Sequence, residues 1–249
     1  MELKDKKVFI TGGTRGIGFE LAKLFSQEGS KVAIGGRNQQ KLNEISEAYP
    51  HIGTIFFDAL SKESYAEVVN QLQHALGGLD ILVNNAAILY SGNFTESTFN
   101  TETIEKEVFT NVTAPIMLIK VLLPLLTQHH ETAIVNITSG VAYMPMPSLP
   151  VYSATKAALQ SFTISLRYNL TQTKIKVVEA LPPLVATEMT ENLPGKAKAM
   201  TKMTAQKCAS SIIKGIKSDR QTIDIGSSKS LYIGRRLFPS IVQNQLNKM

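Results

Sequence analysis

Residues 8–18 constrain this chain more than any other stretch. Val8-Phe9-Ile10 is a short β-branched and aromatic run, which reads as a buried strand. It passes directly into Thr11-Gly12-Gly13-Thr14-Arg15-Gly16-Ile17-Gly18. Phe19, Leu21, Ala22, Leu24 and Phe25 then recur at helical spacing, and Gly29 marks a stop. A strand, a glycine-rich turn and a helix in that order form a cradle for an anion. The first N–H groups of the helix have no intrahelical acceptor, and the helix dipole places partial positive charge beside them. Glycine admits positive φ and lets the backbone approach a ligand closely. A bare glycine turn is also compatible with a tight strand–helix connection that holds nothing. The flanking strand and helix are the context that favours a bound phosphate.

The rest of the chain repeats that alternation. Strand-like runs stand at 7–10, 31–35, 53–57, 80–84, 133–138, 175–181 and 222–225, with helical stretches between them. Such alternation predicts an α/β fold: a Rossmann-like, doubly wound parallel sheet with helices on both faces. With 249 residues, 43% of them hydrophobic, the chain can bury one substantial core. No repeat, low-complexity tract or linker divides it, so residues 1–249 read as a single domain. The charged start Met-Glu-Leu-Lys-Asp-Lys-Lys does not resemble a signal peptide. The apolar run 116–126 is interrupted by Lys120 and Pro124 and falls short of the ~20 residues of a membrane span, so a buried helix is expected there.

The lone cysteine, Cys208, excludes an internal disulfide and suits a reducing compartment; a cytoplasmic location is expected. His51, His74, His129 and His130 lack the spacing of metal ligands, so no metal is expected. The formal charge of +6 can attract an anionic cofactor or the inner membrane surface. Without a compact basic tract or nucleic-acid motif, no nucleic-acid partner is expected.

A second constellation lies far along the chain. Tyr152 and Lys156 are four residues apart at the head of a helix-forming run, which sets them on one helical face. An isolated phenol has a pKa of about 10. An ammonium within ~4–6 Å can lower it by about 1–3 units. Such a pair can give a tyrosine that exchanges protons near neutrality.

The glycine spacing is G-x-x-x-G-x-G, from Gly12, Gly16 and Gly18, with Thr11 in front; the more widespread dinucleotide fingerprint is G-x-G-x-x-G. With this spacing the chain resembles the branch of the short-chain dehydrogenase/reductase family whose members have about 250 residues. The resemblance continues in family order over residues 5 to about 205. Asn84-Asn85-Ala86-Ala87 follows Ile81-Leu82-Val83 and resembles the family's Asn-Asn-Ala-Gly element. Asn111 stands in a helical run where the family has a catalytic asparagine. Ile134-Val135-Asn136-Ile137-Thr138-Ser139 resembles the strand that ends in the catalytic serine. Tyr152 and Lys156 match Tyr-x-x-x-Lys, and Pro182-Pro183-Leu184-Val185-Ala186-Thr187 resembles the Pro-Gly-x-x-x-Thr segment. Ala87 and Pro183 depart from the family's glycines. Proline fixes φ near −65° and removes an N–H, so the backbone at Pro183 is expected to be stiffer than usual.

The resemblance implies an oxidoreductase that interconverts a carbonyl and an alcohol. Ser139 would hydrogen-bond the substrate oxygen, and Tyr152 would give or take its proton. Lys156 would lower the phenol pKa and hold the nicotinamide ribose. Asn111 would orient a backbone carbonyl and a water that connect Lys156 to solvent. The cofactor would lie on Gly12, Thr14, Arg15, Gly16, Ile17 and Gly18, with Asp58 at the adenine and Asn85 and Ala86 along the adenosine. Pro182, Val185 and Thr187 would meet the nicotinamide beside Tyr152 and Lys156.

The second strand indicates which dinucleotide. An acidic residue at its end would bind a ribose 2′-OH. Here Lys31-Val32-Ala33-Ile34-Gly35-Gly36 leads to Arg37-Asn38, with no carboxylate. Arg37 and Arg15 can clamp a 2′-phosphate, so NADP(H) is the expected cofactor.

Substrate features are fewer. Met144, Met146, Met189, Met200 and Met203 could wall an apolar carbonyl or alcohol substrate, or fill the core. Family resemblance places a substrate lid at about 188–204, with Gly195 after Pro194 as a hinge, and implies a homodimer or homotetramer built on helices around 102–128 and 152–170. The tail 235–249 mixes cations with apolar residues and could meet a partner subunit, anionic lipid or its own domain. The run 139–147 with Pro182-Pro183-Leu184-Val185 resembles a subgroup whose genes neighbour those for D-alanylation of teichoic acids in Gram-positive bacteria. Some proteins of this fold bind the dinucleotide as a redox sensor without turnover; the presence of serine, tyrosine and lysine favours an enzyme. A nucleotide-sugar epimerase or dehydratase is disfavoured by the glycine spacing and by the lack of residues for a larger C-terminal domain.

Overall fold

A computed structural model describes residues 1–127, 131–191, 193, 203–238 and 240. Seven parallel strands form the central sheet: β1 (Lys7–Thr11), β2 (Lys31–Gly36), β3 (Ile52–Phe56), β4 (Ile81–Asn84), β5 (Thr132–Ile137), β6 (Ile175–Leu181) and, on the far edge, β9 (Thr222–Asp224). Their order is β3-β2-β1-β4-β5-β6-β9. The chain starts in the middle, winds outward to β3, then returns across β1 to β4 and winds the other way. Val8 sits between Val32 and Ile81, so the register aligns the apolar runs of neighbouring strands. The seven strands expected from the sequence are these seven, with ends that differ by at most one residue. A two-residue pairing, β7 (Val185–Ala186) with β8 (Met203–Thr204), is additional and too short to carry a periodic pattern.

Successive strand residues point to opposite faces, and each face carries its own core. Val8, Ile10, Val32, Ile34, Ile81 and Val83 pack under Leu21 and Phe25 of α1 (Gly16–Gln27) and Ile212 and Ile216 of α7 (Ala205–Lys217). Leu42 and Ile45 of α2 (Gln39–Ala48) join the same face. The intervening Phe9, Ala33, Leu82 and Ile134 pack against Val68 and Leu72 of α3 (Lys62–Leu76) and Leu118 and Leu122 of α5 (Ala114–Leu126). Burying a side chain of that size contributes about 1.5–3 kcal/mol.

The run 116–126 belongs to a longer helical rod than its own sequence suggested. α4 (Thr101–Val108) continues through a π-helical turn at Phe109–Thr113 into α5. The rod Thr101–Leu126 is long and apolar enough to cross a membrane by length and composition. Leu118, Ile119, Leu122 and Leu126 nevertheless lie in the sheet's core, as expected of a buried helix. α6 (Pro150–Asn169) packs beside α4, and α8 (Ser228–Leu237) covers the segment Gly140–Ala142. Within the tail, Arg235 Nη1 donates to the Tyr143 carbonyl at 2.7 Å, and the Tyr232 ring lies 5.0 Å from that of Tyr143. That part of the tail packs on its own domain. His129, His130, Pro194, Gly195, Met200 and residues 241–249 lie outside the described residues.

Candidate active site

The carboxyl ends of β1, β4, β5 and β6 open into a cleft of about 370 Å³, at the point where the strand order reverses. One wall is the glycine turn. Gly12 (φ +62°) and Gly16 (φ +57°) occupy the left-handed region. A Cβ on Gly12 would stand 2.8 Å from the Ala86 Cα, so only glycine lets the turn lie against the loop after β4. Gly12, Thr14, Arg15, Gly16 and Ile17 all face the cleft. Gly18 does not. Its Cβ would meet the Gly12 carbonyl oxygen at 2.5 Å and the Asn85 amide nitrogen at 2.4 Å, so its absent side chain lets α1 close on the turn.

Side chains hold that turn in place. Thr11 Oγ1 accepts the N–H groups of Asn85 (3.0 Å) and Ala86 (3.1 Å). Asn85 Nδ2 donates to the carbonyls of Thr11 (2.9 Å) and Gly12 (3.0 Å). Asn85 was expected to act through its backbone; its side chain also staples β1 to β4. Asp58 faces the cleft with Phe57 and Ala59, and its Oδ1 accepts the Leu60 N–H at 3.0 Å. Arg37 is exposed at the cleft margin, beside Asn38 and Lys41.

The second wall carries the residues expected to act as acid–base groups. Ser139, just beyond β5, is buried, and its Oγ accepts the Val141 N–H at 3.3 Å. Tyr152 and Lys156 occupy the first turns of α6, which Pro150 opens at a position where a missing N–H costs nothing. The lysine is 2% exposed, donates from Nζ to the Ile137 carbonyl at 2.9 Å, and lies 5.5 Å from the Tyr152 ring centroid. Burial lowers its ammonium to a pKa of about 8, opposed by the negative charge of Glu107. Tyr152 differs from expectation. Burial first, and Glu107 second, push its phenol above the ordinary value. In this chain by itself desolvation therefore outweighs the lowering expected from the ammonium. Ser139, Tyr152 and Lys156 all line the cleft that the glycine turn lines.

Asn111 stands behind that wall, on the π-helical turn, and is 1% exposed. Its Oδ1 accepts the Ile88 N–H at 2.9 Å, while Nδ2 donates to the Ile88 carbonyl at 2.9 Å and to Thr155 Oγ1 at 3.1 Å. It ties the loop after β4 to α6 one residue before Lys156. A π-helical turn inside a helix frequently marks such a functional position.

Pro182, Pro183, Val185 and Thr187 close the cleft from the β6 side. The Pro182 carbonyl accepts the Gly140 N–H at 2.9 Å, which fixes this segment to the loop after Ser139. Thr187 N–H donates to Thr190 Oγ1 at 3.2 Å. Of the methionines, Met189 lines the cleft. Met144 and Met146 are 3% and 4% exposed, do not line it, and serve as core; Met146 packs with Tyr152 and Leu149.

Three residues at the site were not anticipated. Glu188 pairs with Arg15, and its other oxygen lies 3.7 Å from Lys41 Nζ, which joins the two sides of the cleft. The pair with Arg15 holds the Glu188 carboxyl below its ordinary pKa. The third is Glu107, fully buried on α4. Its position four residues before Asn111, on the same helical face, was the available signal. Among the described residues no group of three or more His, Cys, Asp and Glu side chains comes together as a metal site.

Known proteins share this architecture. A solved short-chain dehydrogenase from Burkholderia cenocepacia J2315 in complex with NADP superposes with a TM-score of 0.86 over 99% of both chains at 21% identity. One from Burkholderia phymatum in complex with NAD gives 0.85 over 98% of this chain and 96% of its own, at 20% identity. At those identities the likeness concerns the fold. In sequence, the uncharacterized oxidoreductase DltE of Bacillus subtilis (strain 168) is 34% identical over 224 residues, 90% of this chain and 89% of that protein, in keeping with the subgroup resemblance. The short chain dehydrogenase family model matches residues 6–198, from the foot of β1 past Thr187. A match of that extent, on a chain whose cleft is built at the family's motifs, makes this protein an oxidoreductase of the short-chain dehydrogenase/reductase family.

Proposed function

We propose that this protein is an NADP(H)-dependent oxidoreductase that interconverts a carbonyl and an alcohol, with Tyr152 as its acid and base. The observation that carries the reading is the convergence of Ser139, Tyr152 and Lys156 on the cleft that the glycine turn lines. The cleft suits a dinucleotide on its own geometry. The turn is glycine where a Cβ would strike Ala86 or the turn itself. The first-turn amides of α1 offer donors to a pyrophosphate. Arg37, with Arg15 and Lys41 nearby, offers cations to a 2′-phosphate, and no carboxylate follows β2 to take a ribose hydroxyl. Pro182, Val185 and Thr187 would border the nicotinamide, which when bound supplies or accepts the hydride.

The chain's own residues provide orientation and proton traffic. Ser139 would hold the substrate oxygen. Tyr152, a phenol that is protonated at neutral pH, is loaded as an acid for the reductive direction. Lys156 would stabilise the phenolate left when that proton departs. Asn111 keeps the Ile88 carbonyl and Thr155 in register with Lys156. The mixed walls, with Met189, Leu89 and Leu184 facing the cleft, suit a small apolar substrate. A sensor that never turns over would not need three converging polar side chains.

The outward faces of α4 and α6 expose Val108 (40%), Ile164 (43%) and Tyr168 (73%), which supports a homodimer or homotetramer through these helices. Light scattering of the purified protein tests that assembly. The functional reading is tested by a panel of carbonyl compounds with NADPH, followed at the nicotinamide absorbance. Tyr152→Phe is expected to lower kcat about 10²–10⁴-fold with cofactor binding retained. Undiminished turnover in that variant would remove Tyr152 from the mechanism.

A further inference from the structure

Glu107 is an anomalous buried group. Its side chain lies within the protein with 0% exposure. Oε1 accepts a long hydrogen bond from the Tyr90 N–H at 3.4 Å, and Oε2 has no hydrogen-bond partner among the described residues. An ionised carboxylate in such a place is costly unless a charge answers it. Lys156 is the cation placed to answer it: α4 packs beside α6, and Asn111, four residues along the rod from Glu107, donates to Thr155, the residue before Lys156. Lys156 is in the complementary position. Its Nζ has a backbone carbonyl and an aromatic ring as neighbours, and none of the carboxylates of the described residues lies within ion-pair distance of it.

We propose that Glu107 is a positioning residue for catalysis, a buried carboxylate that acts through Lys156 by supplying the counter-charge that keeps this lysine an ammonium beside Tyr152. The inference rests on the catalytic reading of Tyr152 and Lys156. Among the described residues, the groups that bear on Glu107 are few. From α6 they are Lys156 and Tyr152; from the loop after β4 it is the Tyr90 N–H; Asn111 lies one turn along the same rod. Its neighbour Lys106 points outward to Glu102 at 2.6 Å and leaves Glu107 to the interior.

The electrostatics agree with this geometry. Burial raises the Glu107 carboxyl to a pKa of about 7, against the lowering influence of Lys156, and Glu107 in turn raises Lys156 against its own burial. Two groups so placed titrate as a pair. Near neutrality the pair can hold its proton on either member, and the ammonium form is favoured whenever Glu107 is charged. Family resemblance accounts for Asn111, Ser139, Tyr152 and Lys156, but assigns nothing to a carboxylate at 107.

The test needs no substrate. Lysine side chains are isotopically labelled and titrated by NMR, and the Lys156 signal is identified as the one lost in Lys156→Met. Glu107→Gln keeps the shape and the acceptor for Tyr90 but removes the charge. The expected result is a Lys156 titration about one pKa unit lower in Glu107→Gln than in the wild type. An unmoved or raised titration in the folded variant overturns the proposal. Should Glu107→Gln fail to fold, Glu107→Asp, with its carboxylate withdrawn by one methylene, is expected to show a smaller downward shift, and an unmoved value there is equally fatal. The catalytic reading stands or falls separately. If Tyr152→Phe is inactive and the lysine does not move, only the role of Glu107 is lost; if Tyr152→Phe turns over normally, the proton-transfer reading fails whatever Lys156 does.

Discussion

The two walls of the cleft are made of different materials. The wall from β1 to β3 is made of backbone: positive-φ glycines and helix-terminal amides, whose carbonyls Asn85 holds from the loop after β4. Its cations, Arg15, Arg37 and Lys41, stand at the margin, where Glu188 reaches across from the other side. The wall from β4 to β6 is made of side chains: Ser139, Tyr152 and Lys156 line it, with Asn111 and Glu107 behind them, and all five are buried. Backbone recognition ties function to the fold, because a residue that spoils the turn spoils both. Buried polar side chains cost stability to maintain, so function there can be removed while the fold survives or gains.

The largest expected effect sharpens that contrast on the side-chain wall. Lys156→Met removes the ammonium and keeps the apolar stem. Turnover is expected to fall about 10²–10⁴-fold. The melting temperature should stay within a few degrees of wild type, because the lost bond to Ile137 is offset by relief of a buried charge. A large loss of both would show that this lysine is as structural as the glycines. On the backbone wall Gly18→Ala should do what Lys156→Met does not. The new methyl meets the Gly12 carbonyl at 2.5 Å, so α1 must shift. About 1–3 kcal/mol of stability is expected to go, with a parallel weakening of dinucleotide binding measured by fluorescence titration. Normal cofactor affinity with lowered stability would separate the turn's two roles.

The same division explains what could be read from the sequence. Glycine spacing, strand runs and the Tyr152–Lys156 interval are local patterns, and the sheet order follows from them because parallel strands joined by helices have few ways to wind. Spacing alone groups Gly18 with the cofactor contacts, because it does not separate a glycine that faces a ligand from one that faces another turn. Met144 and Met146 were equivocal for a like reason, since an apolar residue carries no mark of which side of a wall it faces. The phenol of Tyr152 was expected to be lowered by Lys156; that expectation counted a charge four residues away and could not count the burial of both groups or the carboxylate from another helix. Glu188 and Lys41 reach the cleft, and Glu107 the space behind its wall, from three separate elements, and only tertiary packing brings them there.

Cofactor choice is a smaller effect and tests the exposed charges. Arg37→Asp is expected to shift the preference, as a ratio of kcat/KM for NADPH over NADH, about tenfold or more toward NADH. Glu188→Gln frees Arg15 and Lys41 from an internal anion and is expected to strengthen NADPH binding a few-fold, an effect that fades with added salt because all three groups are exposed. An unchanged preference in Arg37→Asp would assign the anion site to other residues.

The smallest expected effect is on stability, and its sign follows from Glu107. A carboxyl whose pKa rises from 4.5 when unfolded to about 7 when folded retains its proton better in the folded state. Between those two values the native protein binds more protons than the unfolded chain, so its stability falls as pH rises, and above about 7 the full cost of the buried charge is present. Glutamine at 107 carries no such cost. Glu107→Gln and wild type should therefore melt together near pH 4.5 and separate as pH rises through 7, the variant becoming more stable by about 1 kcal/mol, or about 2–4 °C. Lys156 moderates the difference, because its pKa of about 8 in the folded protein leaves it partly charged where Glu107 ionises. A variant less stable than wild type at pH 8 would mean that attraction to the ammonium exceeds the cost of burying the carboxylate, and the side-chain wall would then resemble the backbone wall in holding fold and function together.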